Sequence, residues 1–282
     1  MKKAIYLICF AVIINARENP VQVGNVFPHL TVHADGVGST SETGIGALIP
    51  WANKLWAIGY VAHIQGSDIG LYEIEEDMSW RLHPESVTGT FANRLVHWES
   101  GHAIIGPHLI DPEGNVRTIP EMAKHRLAAT MRHLTDPENM VYFLTMEGFF
   151  WEVDLNSLES TLRYDLNIEL DFPEGRAPHF KSAHTAQGRV VVAANRYWEE
   201  DFLGKVHGGR LGEWDGETWT ILEKYPFVEV SGKQNPRTGQ AFGNTLYATG
   251  WTKSSVILRV LHDGEWKRYL LPKASHSFDH AW

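Results

Sequence analysis

Three stretches decide the fold: Leu71-Tyr-Glu-Ile-Glu-Glu-Asp-Met-Ser-Trp80-Arg-Leu, Leu211-Gly-Glu-Trp-Asp-Gly-Glu-Thr-Trp219-Thr-Ile-Leu, and Leu258-Arg-Val-Leu-His-Asp-Gly-Glu-Trp266-Lys-Arg-Tyr. Each reads as a short strand, a tight turn, then a tryptophan opening a second strand. Asp215-Gly216 and Asp263-Gly264 are strong hairpin signals, because glycine takes the positive φ that such turns require. From Leu to Trp is nine residues in the first copy and eight in the other two. Upstream of each hairpin lies an apolar strand: Lys54-Leu-Trp-Ala-Ile-Gly59, Arg189-Val-Val-Val-Ala-Ala194 and Thr245-Leu-Tyr-Ala-Thr-Gly250. Another short strand precedes each of these, so the repeating unit has four strands.

Two more divergent copies fit the same unit. One covers Asn93 to Pro120 with Asp111-Pro-Glu-Gly114 as a turn, the other Arg126 to Leu166 with Asp136-Pro-Glu-Asn139. The units begin near residues 44, 93, 126, 179 and 227, a period of 33 to 53. No stretch has the period of an amphipathic helix. Short strands, Gly/Pro/Asp turns and a period of this size predict an all-β fold, a β-propeller of four-stranded blades. The competing arrangement of such strands is a β-sandwich. Each blade must pack both faces on neighbours. Five blades are legible, and the chain then runs to Ser275-His-Ser-Phe-Asp-His-Ala-Trp282, which reads as the innermost strand of a sixth. The expectation is a six- or seven-bladed ring cut short. The alternative is a five-bladed ring closed by pairing of those residues with the N-terminal segment.

The chain has 282 residues, 43% of them hydrophobic and 21% charged, which is the balance of a soluble globular protein. Its formal net charge of −9 argues against general nucleic-acid binding, which needs a basic surface. Lys2 and Lys3 followed by the apolar run Ala4 to Ile14 read as a secretory signal peptide over residues 1–16, too short for a stable membrane anchor. That predicts a secreted or periplasmic protein, an N-terminal segment over 17–43, and a propeller over 44–282 that is incomplete at its C-terminus. Cleavage would remove the single cysteine, Cys9, so a hydrophobic core and not disulfides must hold the mature chain together. No later apolar run is long enough to span a membrane.

Strands are lettered A to D from the axis outwards. In a propeller the B–C loops and the D-to-A connections gather at one face, where ligands usually bind. The chain has 15 histidines, and many fall on those connections or on A strands: His63, His108, His125, His179 and His276 on the former, His97, His133, His184 and His280 on the latter. Histidine donates and accepts protons near neutral pH. The longest B–C loop, Asn195 to Arg210, carries Arg196, Tyr197 and Trp198. A guanidinium grips a carboxylate through two parallel hydrogen bonds. A phenol beside a cation can act as an acid or base, and aromatic rings stack on sugars. Together these groups suit an acidic polysaccharide or oligosaccharide, with Arg196, Trp198, His184 and Trp251 as candidate substrate contacts.

Other features read as structural. Trp80, Trp219 and Trp266 recur at one blade position and are expected to pack between blades. Glu199, Glu200 and Asp201 read as a solvated loop tip. His29 with His33, and His276 with His280, lie four apart. On a strand that spacing is too long for a compact ligand pair, so zinc would need ligands from other blades. No cofactor is required by the reading, and a structural metal ion is left open. Neither a Gly-x-Ser-x-Gly nucleophile elbow nor a specific Gly-rich nucleotide loop is present.

Two family resemblances follow. The turn Asp215-Gly-Glu-Thr-Trp219 resembles a degenerate Asp-box of the sialidase-type propellers, without the leading Ser/Thr. Leu48-Ile-Pro50, preceded by Ala47, stands where such sialidases carry Arg-Ile-Pro, so this resemblance supports the fold only. The architecture and the His/His/Tyr/Arg set are similar to those of secreted polysaccharide-degrading propellers of the ulvan-lyase and rhamnosidase types. That resemblance implies cleavage of a uronate-containing polysaccharide, by β-elimination or by hydrolysis. An arginine would neutralise the uronate carboxylate, while His and Tyr move the protons. It casts His108, His133, Tyr197 and Arg210 as the catalytic set. A propeller that only binds a glycan or a protein is the rival reading.

Overall fold

The computed structural model describes residues 44–61, 69–173, 178–195, 208–234, 241–252 and 254–272. The strands form five four-stranded antiparallel sheets, each made of strands consecutive in the chain. Blade 1 holds β1 (Gly44–Trp51), β2 (Lys54–Tyr60), β3 (Leu71–Ile74) and β4 (Trp80–Leu82). Blade 2 holds β5 (Arg94–His97), β6 (His102–Ile105), β7 (His108–Ile110) and β8 (Val116–Thr118). Blade 3 holds β9 (Leu127–Arg132), β10 (Met140–Thr145), β11 (Phe149–Asp154) and β12 (Ser160–Asp165), followed by the one-turn helix α1 (Leu166–Glu169). Blade 4 holds β13 (His179–Ala186), β14 (Arg189–Asn195), β15 (Arg210–Trp214) and β16 (Trp219–Glu223). Blade 5 holds β17 (Phe227–Gln234), β18 (Ala241–Trp251), β19 (Ser255–His262) and β20 (Glu265–Pro272).

The inner strands start at 44, 94, 127, 179 and 227, within one residue of the repeat starts read from the sequence. Successive inner strands pack on one another, β1 on β5, β5 on β9, β9 on β13 and β13 on β17. This is the β-propeller arrangement, with sheets set side by side and their inner strands toward a common axis.

Strand β14 shows why the sequence folds this way. Arg189-Val-Val-Val-Ala-Ala-Asn195 does not alternate apolar with polar, because both faces of its sheet are covered. Val190, Val192 and Ala194, with Trp214 of the same blade, pack toward Tyr142, Leu144 and Phe150 of blade 3. Val191 and Ala193 pack toward blade 5 with Leu246, Ala248 and Ile257. The interface of blades 1, 2 and 3 is a separate core built on Trp56, Ile58, Phe91, Ile104, Val141 and Phe143.

The outer hairpins explain the recurring aspartate. Asp77 Oδ1 accepts from Ser79 N–H at 2.9 Å, and Asp111 Oδ1 from Asn115 N–H at 2.8 Å. Asp154 Oδ1 accepts from Asn156 N–H at 2.8 Å, and Asp215 Oδ1 from Thr218 N–H at 2.8 Å. The aspartate is thus a turn cap that satisfies backbone donors. Blade 5 uses another device. Asp263 and Gly264 both take positive φ, 48° and 82°, as a two-residue hairpin turn demands. These geometries account for the Asp-Gly pattern through turn chemistry alone.

Trp219 and Trp266 pack between blades, as the repeat predicts, while Trp80 packs inside its own blade. Trp219 meets Phe150 of blade 3 edge-on at 5.6 Å and stacks on Trp214 at 6.0 Å. Trp266 Nε1 donates to Glu213 Oε2 of blade 4 at 2.6 Å. Trp80 meets Tyr72 edge-on at 5.4 Å within blade 1. Replacing Trp219 by Ala therefore empties part of the blade 3–blade 4 interface. Urea unfolding is expected to show a loss of about 3 kcal/mol, and a loss below about 1 kcal/mol would contradict the packing role.

Candidate functional site at the channel mouth

Every inner strand starts at the face where the B–C turns lie and ends at the face where the A–B turns lie. That polarity sorts the residues singled out in the sequence. His108 and Arg210 open the C strands β7 and β15, and Trp251 closes the B strand β18, so all three stand at the B–C face. His133 follows the last residue of β9 and stands at the opposite, A–B face. The structure therefore does not bring His133 together with His108 and Arg210. Tyr197, Arg196 and Trp198 lie outside the described residues, as do His29, His33, His63, His276, His280, Glu199, Glu200 and Asp201.

The local surroundings give each of these groups a structural task. The His108 ring is wholly buried, with Nδ1 paired to Thr118 Oγ1 at 2.9 Å. Burial, with the neighbouring His83, lowers its pKa to about 3, so it stays neutral at physiological pH. His133 Nδ1 accepts from Asp136 N–H at 2.9 Å and its Nε2 meets Glu152 Oε2 at 3.0 Å, fastening the A–B turn of blade 3 to β11. Arg210 is buried. Its guanidinium donates to the carbonyls of Leu170 at 2.8 Å, Asp171 at 2.6 Å and Gly209 at 2.9 Å. It also lies over the Phe172 ring at 4.8 Å. Arg210 thus satisfies carbonyls left open where α1 ends. The Trp251 N–H donates to the Pro226 carbonyl at 3.1 Å, tying β18 to the entry of β17.

His184, on β13, sits deeper, against Gly232 of blade 5. Burial, with Arg132 nearby, lowers its pKa to about 4. Arg132 is ion-paired with Glu99 of blade 2. His97 Nδ1 and His102 Nδ1 meet Ser100, at Oγ and at the carbonyl, both at 2.7 Å. This polar group occupies the A–B end of blades 2 to 4. Among the described residues no three His, Asp, Glu or Cys side chains gather as a metal would require.

The mouth of the channel holds a pair that the sequence reading did not single out. Arg94 opens β5 and is exposed. Glu229 lies on β17 directly after a bulge between Phe227 and Glu229, and is half-buried. Burial raises the Glu229 pKa, and the positive charge of Arg94 opposes that rise. Arg94 belongs to blade 2 and Glu229 to blade 5, and both stand near the B–C ends of their inner strands, where the charge of one acts on the carboxyl of the other. Neither side chain has a hydrogen bond or ion pair with any described residue. Among the described residues, Arg126 and Arg210 near this face are engaged, Arg126 with Glu147 Oε1 at 2.6 Å and Arg210 as above. The signal in the sequence was a single arginine at the head of the apolar strand Leu95-Val96, but nothing local marks it as facing an acid 135 residues later.

No protein-family model and no curated protein matches the sequence. Among solved structures the chain is similar to the GH74 enzyme of Niastella koreensis. The TM-score is 0.46 at 11% identity, over 80% of this chain and 38% of that one. It is also similar to a structure from a study of two prolyl endopeptidases, with a TM-score of 0.38 at 13% identity over 82% of this chain and 36% of that one. The third is the β-propeller domain of Cps50 (Swd1) from Myceliophteria thermophila, with a TM-score of 0.38 at 13% identity over 82% and 75%. The chain spans little more than a third of the first two. At this level of identity no activity transfers from them. Among the described residues no helix is long and apolar enough to cross a membrane.

The two depressed histidines set an acid limit. Their folded pKa values, about 3 and about 4, lie below the unfolded value near 6.5. As pH falls below about 6.5 the unfolded chain takes up the protons first. The stability these groups contribute is complete above that pH and is lost progressively down to the folded values. The urea midpoint is expected to fall steadily from pH 7 to pH 4, and His184→Gln to flatten that slope. A midpoint independent of pH in this window would contradict the burial of both rings.

Proposed function

We propose that this chain is a secreted or periplasmic carbohydrate-active propeller that takes a uronate-containing polysaccharide at the channel mouth on its B–C face. The observation that carries the reading is Arg94, an exposed guanidinium with no described partner, set across the axis from a half-buried carboxyl of raised pKa. A free guanidinium is suited to a bidentate grip on a uronate carboxylate. The role that the resemblance gave to Arg210 passes to Arg94, because Arg210 spends its donors on backbone carbonyls.

In the β-elimination reading, Arg94 neutralises the uronate carboxylate and so acidifies the C5 proton. Glu229 takes that proton as its pair of electrons forms the C4=C5 bond and the C4–O bond breaks. The departing oxygen then receives the proton from Glu229. A carboxyl whose pKa is raised toward the working pH serves both steps. No metal or cofactor enters this scheme. A second reading, binding without cleavage, is favoured by the structural tasks found for His108 and His133.

Three assays separate the readings. Uronate polymers incubated with the protein are expected to give the ultraviolet absorbance of an unsaturated uronate, and Glu229→Gln to abolish it while binding at least as tightly. Arg94→Ala is expected to weaken binding roughly tenfold or more, the scale of one charge-assisted contact. New reducing ends without that absorbance would assign hydrolysis, and binding without any product would assign the binding-only reading. Binding is also expected to strengthen as pH falls through the raised Glu229 pKa, because the ionised carboxylate repels the polyanion. Unchanged binding in Arg94→Ala would overturn the site.

A further inference from the structure

Each inner strand stands at the edge of its own sheet, so part of its backbone needs partners from outside the ladder. At blade 5 one side chain meets two such groups. Ser182 Oγ, on β13 of blade 4, donates to the Val230 carbonyl at 3.0 Å and accepts from the Val230 N–H at 3.2 Å. A hydroxyl has one proton and two lone pairs, so it serves both groups at once. Two residues further along, His184 lies against Gly232, where any Cβ would run into the imidazole ring. Ser182 with Val230 and His184 with Gly232 therefore set one register between β13 and β17.

This clasp sits one residue from the carboxyl of the channel mouth. β13 bulges between Phe180 and Ser182, and β17 between Phe227 and Glu229, so Ser182 and Glu229 each follow the extra residue of their strand. A bulge interrupts the ladder, and the pairing with β18 holds Glu229 less firmly than the regular part of β17. The grip on Val230, the next residue, supplies the missing restraint.

Links of the same kind continue toward blade 2. Thr185 Oγ1 of blade 4 donates to the Arg132 carbonyl of blade 3 at 2.7 Å. Asn93 Nδ2 of blade 2 donates to Thr130 Oγ1 of blade 3 at 2.7 Å and to the Gly106 carbonyl of its own blade at 2.8 Å. Asn93 is the residue before Arg94. Side-chain links thus run from the strand of Arg94 through blades 3 and 4 to the strand of Glu229, and Ser182 is the end link on the side of the acid.

We propose that Ser182 is a positioning residue for the channel-mouth site, its grip on Val230 fixing where the Glu229 carboxyl stands relative to Arg94. The inference rests on the site proposed above, and Ser182 acts through β17 without touching substrate. Val230 is only 3% exposed, so removing the hydroxyl leaves its N–H and carbonyl without this partner in a place water scarcely reaches. β17 shifts to relieve that loss, and Glu229 shifts with it. A displacement of about 1 Å at the base costs on the order of a hundredfold in rate. Arg94, on another blade, keeps its hold on the uronate carboxylate. Ser182→Ala is therefore expected to lower kcat on that scale and to leave KM nearly unchanged.

A double-mutant cycle read by carbon NMR tests the positioning on the full-length protein with no substrate present. The hold of the guanidinium on the carboxyl is the change in Glu229 pKa that Arg94→Gln produces. In a Ser182→Ala background that change is expected to shrink to about half or less. Ser182→Thr, which keeps the hydroxyl, should return it to the wild-type size. Trp219→Ala, which weakens an outer contact between blades 3 and 4, should leave it unaltered. A full-sized change in Ser182→Ala, or an equal loss in Trp219→Ala, would overturn this inference alone. No change on Arg94→Gln in the otherwise wild-type chain would overturn the site and this inference with it. The lyase scheme can fail while the cycle still decides for or against Ser182.

Discussion

The structure rests on one constraint: a four-stranded sheet that is apolar on both faces must have a neighbour on each. Strand β14 shows it most plainly, with Val190 and Val192 facing one blade and Val191 and Ala193 the other. Such a sheet is not stable alone, and the hydrophobic gain comes only when sheets stand side by side. Packing at the inner strands then fixes the axis, and the axis brings together residues far apart in sequence. The channel-mouth pair exists because of this packing. No local motif could hold an arginine of blade 2 opposite a glutamate of blade 5.

The fold was legible because its signals are local. Asp-Gly at 215–216 and 263–264 forces a hairpin whatever surrounds it, and a tryptophan after each hairpin marks the face that will be covered. The inner-strand starts follow from the repeat to within one residue. The aspartates were also legible, although their function in the turn is capping, with hydrogen bonds holding the carboxyls of Asp77, Asp154 and Asp215 below the usual range.

The site was less legible, for three physical reasons. His133 is one residue past the end of β9, and that places it at the wrong end of its blade. Arg210 borders a long loop and so looked free, yet its partners are carbonyls at the end of α1, some forty residues earlier. Glu229 comes into play through a bulge beside Phe227, a register shift that alternation in the sequence does not announce. In each case the deciding contact is tertiary, while the sequence pattern reports only the strand on which the residue sits. Histidines that looked like a proton-transfer set are instead buried and neutral, or fastened to turns.

The central claim is that Arg94 and Glu229 face each other across the channel, and the Glu229 carboxyl reports on it directly. Carbon NMR titration of that carboxyl is predicted to give a pKa above the ordinary glutamate value, and a further rise in Arg94→Gln, since the guanidinium now holds it down. A Glu229 pKa that stays the same when Arg94 loses its charge would contradict the arrangement of the two blades and the site built on it.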